Sequence, residues 1–196
     1  YNLPRLKANC LALTTGGGPS GAVTAGPIVH LDLIAGLPYE DLATFARSFD
    51  WTFRLHPHEL QLGFLKLLKG SPLRAEAETY GYVFTAEPPY ELLGNKWLSY
   101  GDLLLLKEVE EMVEKYFNSQ HFRYTLAYLF RDDTLSPWAF FAGLARFWQE
   151  KGFCGQAHKQ VALYERLWRF LTTEFPAQLR GGASSPPQAP AAQGKG

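Results

Sequence analysis

Hydrophobic spacing changes character twice along the chain. Leu3, Leu6, Cys10 and Leu13 fall at helical spacing, so Asn2 to Leu13 predicts a helix. It should stop at Thr14, Thr15 and the three glycines Gly16 to Gly18, where helix is costly. Ile28 to Ala35 is a short apolar run bounded by Pro27 and Gly36, the signature of a buried strand. On a strand, His30, Asp32 and Ile34 share one face, and Val29, Leu31 and Leu33 the other. Glu40 and Asp41 then open a helix carrying Leu42, Phe45, Phe49 and Phe53 in a stripe. Leu60 to Leu68 is a second strand candidate, with Leu60, Leu62 and Phe64 on one face and Gln61, Gly63 and Leu65 on the other. Strand, helix, strand at this length predicts a right-handed parallel crossover, with ligands beyond the carboxyl ends of the strands, near Gly36 to Pro38 and Lys69 to Pro72.

From Ser99 the period is helical. Ser99 and Asp102 form a capping pair ahead of Leu105, Val109, Met112, Val113 and Tyr116. A further helix is expected over Phe122 to Phe130. Ser136 and Pro137 are an N-cap and first-turn proline for another, ending near Lys151 and Gly152, and a last one covers about His158 to Phe175. From Gln178 the chain turns to Gly, Ala, Ser, Pro and Gln, a composition that predicts disorder.

Composition narrows the function classes. With 46% hydrophobic and 15% aromatic residues over 196 positions, a sizeable core is available. Nineteen basic residues balance nineteen acidic ones, which gives no overall field for nucleic acid or an anionic membrane. No apolar run reaches the roughly 18 residues of a bilayer span, and the N-terminus lacks a secretory layout, so a cytoplasmic location is expected. Cys10 and Cys154, in unrelated surroundings and outside any CxxC spacing, read as reduced thiols in preference to a disulfide.

Several tempting sites have plainer readings. The glycines at 16 to 18 lack the Lys-Ser or Lys-Thr of a phosphate loop. His56, His58 and Glu59 are broken by Pro57 and read as a surface loop instead of a metal site. Glu108, Glu110, Glu111 and Glu114 lie off the apolar stripe beside Lys107 and Lys115 and read as a solvated face. Trp138, Phe140, Phe141, Phe147, Trp148, Trp168 and Phe170 read as core, with a pocket for a flat cofactor such as a corrin as the alternative.

Three ordered segments carry a resemblance: His30 to Pro38 (HLDLIAGLP), Leu60 to Leu73 (LQLGFLKLLKGSPL) and Pro88 to Glu91 (PPYE). They resemble the later part of cobalamin-binding radical S-adenosylmethionine proteins, including the uncharacterised helical domain that follows in that family. The likeness continues through Trp97 to Tyr100, Leu106 to Glu110, Tyr116 to Asn118 and Ser136 to Phe141, covering roughly residues 28 to 175. The pattern of residues 32 to 40, Asp-x-Ile-x-Gly-Leu-Pro-x-Glu, looks like the fifth-strand motif of those barrels, which in the family lies beside the bound cofactor. Where the family commonly has glycine after the proline, this chain has Tyr39, so the turn must avoid a positive φ or absorb its strain.

The resemblance implies an α/β plus α architecture: the end of a partial TIM-like barrel followed by an all-helical C-terminal domain. The expected division is a barrel helix at 1–13, a Gly-rich loop at 14–27, a strand-helix-strand unit and connection at 28–98, a helical domain at 99–177 and a disordered tail at 178–196. The family uses S-adenosylmethionine, a four-iron, four-sulfur cluster and cobalamin. The cluster needs three thiolates in a Cys-x-x-x-Cys-x-x-Cys motif, and two cysteines cannot supply it. The chain is therefore expected to be inert alone, a C-terminal fragment whose partners are cobalamin- and cluster-binding segments preceding it, acting on a small-molecule or peptide substrate. His30, Asp32, Ile34, Gly36, Gln61 and Gly63 are the candidate cofactor-facing residues. The alternative for the histidine and aspartate is a satisfied buried polar group capping a neighbouring loop. The competing function is a stand-alone, non-enzymatic helical binding module, against which an unpaired strand edge would argue.

Overall fold

A computed structural model describes residues 2–14, 27–132, 134–155 and 158–176. The expectations for the 14–27 loop and the tail from 178 fall largely or wholly outside these residues. Contacts group the chain into two compact units, residues 1–153 and 154–196.

In the first unit, α1 (Leu3–Thr14) is followed by β1 (His30–Ala35), α2 (Leu42–Phe53) and β2 (Glu59–Phe64). Asp41 ends the turn by accepting from the Thr44 N–H, so the acid expected at the helix start is its N-cap. The two strands pair in parallel, His30 beside Glu59 and Ala35 beside Phe64. Strand β2 is shorter than the predicted run to Leu68, because the chain bends into an isolated bridge between Lys66 and Glu91. The connection then holds α3 (Pro72–Ala75), α4 (Ala77–Tyr80) and an antiparallel pair, β3 (Val83–Phe84) with β4 (Leu92–Gly94), none of which periodicity predicted. At two and three residues, those strands are too short to show a period.

Helix α5 (Tyr100–Val113) opens with the expected capping box: the Asp102 N–H donates to Ser99 Oγ, and the Ser99 N–H to Asp102 Oδ2. It runs directly into one π-helical turn, Glu114–Asn118. Then come α6 (Arg123–Leu129) and α7 (Pro137–Glu150), the latter capped by Ser136. Asp50 on α2 reinforces that cap, its carboxylate accepting from Ser136 Oγ at 2.7 Å and from the Trp138 N–H at 2.6 Å.

One core unites these elements. Phe45, Phe49 and Phe53 of α2, Leu106, Val109 and Val113 of α5, and Phe140, Phe141, Leu144 and Trp148 of α7 are all buried, and α7 packs on both α2 and α5. Ring pairs such as Phe49 with Phe141, 5.9 Å between centroids, and Phe53 with Phe130, 5.0 Å, hold edge-to-face geometry. The stripe on α5 is offset from the predicted one: Leu103 and Leu106 are buried and Leu105 only half-buried.

In the second unit, α8 (Gln160–Glu174) lies within the expected span. Leu167, Phe170 and Leu171 are buried, while Trp168, grouped above with the core aromatics, is 60% exposed.

Candidate functional site

The parallel pair has one closed and one open face. Leu60 and Leu62 are buried on the side that α5 and the π-turn cover. On the other side His30, Asp32, Ile34 and Gln61 are exposed, with Glu59 and Gly63 half-buried beside them. The register sets them in three rows: His30 with Glu59, Asp32 with Gln61 and Ile34 with Gly63. His30 Nδ1 lies 3.0 Å from Glu59 Oε2. The two polar β1 residues are therefore not buried loop caps: they stand on an open polar wall. A Cβ on Gly63 would approach nothing closer than Leu33 O at 3.6 Å, so the wall has open space at Gly63 beside the exposed Ile34.

The edges of the pair also differ. The Leu65 N–H donates to Ala35 O and the Glu59 N–H to Val29 O, so odd-numbered residues of β1 turn their backbone toward β2. His30, Asp32 and Ile34 consequently aim their N–H and C=O groups away from it. At the start of the outer edge of β2, side chains take the place of a neighbouring strand. Asn118 Oδ1 accepts from the Leu60 N–H at 3.0 Å, its Nδ2 donates to Leu60 O at 3.1 Å, and Gln120 Nε2 donates to His58 O at 2.9 Å. Past Phe64 the Leu67 N–H donates to Tyr90 O. The π-turn ends at Asn118 and presents that amide to β2; such turns are frequent at functional sites.

At the carboxyl end of β1 the chain closes on itself. Gly36 has φ 102° and its carbonyl accepts from Tyr82 Oη and Asn95 Nδ2, both at 3.0 Å. A Cβ there would fall 2.2 Å from Leu92 Cδ2, so the space a ligand might have used at Gly36 is filled by leucine. Burial pushes the Tyr82 hydroxyl up to about 12, with Tyr80 adding to it, which keeps it a neutral donor. Tyr39 takes φ 66°: the turn absorbs the strain instead of avoiding it. Its ring lies 4.8 Å from Trp97 and 6.0 Å from Tyr80. Contacts of this kind contribute about 0.5–1.5 kcal/mol each, enough to offset a left-handed tyrosine. Sequence reasoning missed this aromatic group because its members lie up to 58 positions apart, between Tyr39 and Trp97.

Residues 78–181 match a family described as a protein of unknown function, DUF4080. The chain belongs to the DUF4080 family. No curated protein matches it. The matched stretch starts in α4 and runs past α8, so the β1–β2 wall lies ahead of the DUF4080 region while Asn118, which closes β2, lies within it. Among the described residues, no helix is long and apolar enough to cross a membrane.

The cofactor chemistry implied by the resemblance fits this DUF4080 chain unevenly. The cluster does not fit, since Cys10 and Cys154 are its only cysteines. Nor does a corrin among the aromatics of α7, because Phe140, Phe141 and Trp148 are fully buried against the chain's own side chains. The open wall does suit a polar ligand: an imidazole, a carboxylate and an amide side by side can hydrogen-bond ribose hydroxyls or an amino-acid group. Glu108 and Glu110, expected on a solvated face, are half-buried, and desolvation raises both carboxyls above the usual range, helped by Glu111 and Glu114 respectively.

Proposed function

We propose that this chain supplies the last two strands and the helical cap of a cobalamin-dependent radical S-adenosylmethionine enzyme and has no catalysis of its own. The observation that carries this reading is the asymmetry of β1–β2. A parallel pair normally lies inside a larger sheet with both faces covered, and among the described residues this one leaves a polar face and the β1 edge open while the Asn118 side chain closes the far edge of β2 at Leu60. That is the pattern expected of the final strands of a barrel whose preceding strand joins at β1. The resemblance over residues 28 to 175 gives the same order. In this reading His30, Asp32, Ile34, Gln61 and Gly63 line the lumen, and S-adenosylmethionine, cluster and cobalamin are held mainly by segments outside this chain. A stand-alone binding module would leave a bare edge exposed to aggregation, which weighs against that alternative.

Amide hydrogen exchange tests the edge. In the isolated chain the His30, Asp32 and Ile34 amides should exchange far faster than those of Leu31, Leu33 and Ala35, and they should become protected once a cluster-bearing segment is joined ahead of residue 1. Protection of the even-numbered amides in the monomeric chain would remove the basis for the proposal. So would deoxyadenosine release by the chain alone after anaerobic iron and sulfide reconstitution.

A further inference from the structure

A second concavity lies at the opposite end of β2. The loop that leads into the strand (His56, Pro57), the residues after the π-turn, α6 and the start of α7 enclose a cavity of about 370 Å3. That is within the range of small-molecule sites. Its floor is apolar, built from Phe53, Phe117, Leu126 and Phe130, with the Phe53 ring 4.9 Å from Phe117 and 5.0 Å from Phe130.

Its charged lining is basic among the described residues. Arg54, His56, Arg123 and Arg131 contribute to the walls, and no carboxylate does among the described residues. Two of the guanidiniums are held in place by neighbouring tyrosines. Arg131 lies 4.1 Å over the Tyr128 ring and donates through Nη1 to Tyr128 O at 2.7 Å; Arg123 lies 4.6 Å over the Tyr124 ring and donates through Nη2 to Tyr124 Oη at 2.7 Å. Each of these bonds uses one of five donors, so both guanidiniums keep further N–H groups while they line the cavity wall. The nearest sequence acid, Asp132, accepts from Thr134 Oγ1 at 2.8 Å within its own loop, and its charge is also felt by Arg131. Two lining residues, His56 with φ 53° and Gln120 with φ 59°, hold left-handed backbone without being glycine, and strain of that kind collects at functional positions.

We propose that this cavity binds a small amphipathic oxyanion, an aliphatic or aromatic body ending in a carboxylate or phosphate. The body covers Phe53, Phe117 and Phe130, and the head bonds Arg123 and Arg131. The site faces away from the strands' carboxyl ends and does not depend on the barrel reading above.

Calorimetric titration of the full chain with octanoate, octyl phosphate, inorganic phosphate and octylamine tests it. One equivalent of octanoate or octyl phosphate should bind, the two together deciding which head is preferred. Inorganic phosphate should bind at least tenfold more weakly, and octylamine should not bind. The exposed pair Arg123→Ala with Arg131→Ala should weaken the lipid-like anion by about tenfold to a hundredfold, the range of charge-assisted hydrogen bonds. Ala127→Trp, at an exposed helical position on the cavity wall, should fill the space and abolish binding with the melting curve unchanged. Octylamine binding as well as octanoate, or full affinity in the arginine or tryptophan variants, overturns the proposal.

Discussion

Asn118→Ala tests how β2 ends. Leu60 is fully buried, and the Asn118 amide satisfies both its N–H and its C=O. Removing the amide orphans two backbone groups at about 1–3 kcal/mol each; Asn118 is itself half-buried, so water can restore part of this, leaving a net loss of about 2–4 kcal/mol. At a slope of about 2 kcal/mol per molar urea, the midpoint of the first unit's transition should fall by about 1–2 M. The Leu60 amide should lose more exchange protection than its neighbours Gln61 and Leu62. Asn118→Asp sharpens the test. Its second oxygen would face Leu60 O, and Glu114 Oε2, now an acceptor for Asn118 Nδ2 at 2.8 Å, would become a like charge. The aspartate should be no more stable than the alanine at neutral pH and should recover on acidification, when a protonated carboxyl can donate. A midpoint shift below about 0.2 M for the alanine variant would refute the claim that this side chain stands in for a strand, since about 0.5 kcal/mol is the scatter of ordinary surface changes.

Two further outcomes follow from the site's geometry. Gly36→Ala forces a side chain into φ 102° and into the buried Leu92, so it should cost about 2–4 kcal/mol in urea unfolding; adding Leu92→Ala should recover only the steric part. Burial raises the Glu110 carboxyl above 4.5, with Glu114 adding to it and Lys107 opposing. A raised folded-state value favours the fold at low pH and loses that advantage as pH rises through it. Glu110→Gln should therefore melt higher than the parent at pH 7, with the gap closing below pH 4.5; a gap that widens on acidification would mean that the carboxylate is stabilised by a partner.

The main elements were legible because their signals are local. The proline at 137 behind Ser136, the Ser99 and Asp102 box, and the spacing of Phe45, Phe49 and Phe53 each act within a turn or two of helix. The alternation of β1 likewise set His30, Asp32 and Ile34 on one face before any contact was known. Local pattern is silent on which face is covered: Asp32 reads the same whether it caps a buried loop or lines an open wall. It also placed a boundary at 98/99, where contacts join residues 1–153 in one unit, because α5 and α7 close over strands and a helix far away in the chain.

What the sequence determined by itself was the order and polarity of the elements and the absence of a third cluster thiolate, since both are properties of neighbouring residues or of a count. Tertiary structure decided the rest: that the polar face of β1 and β2 is open, that Asn118 and Gln120 close the start of the β2 edge, that Leu92 fills the space at Gly36, and that three arginines and a histidine share one apolar cavity. Each of these joins side chains distant along the chain, and such juxtapositions exist only once long-range packing has brought the elements together.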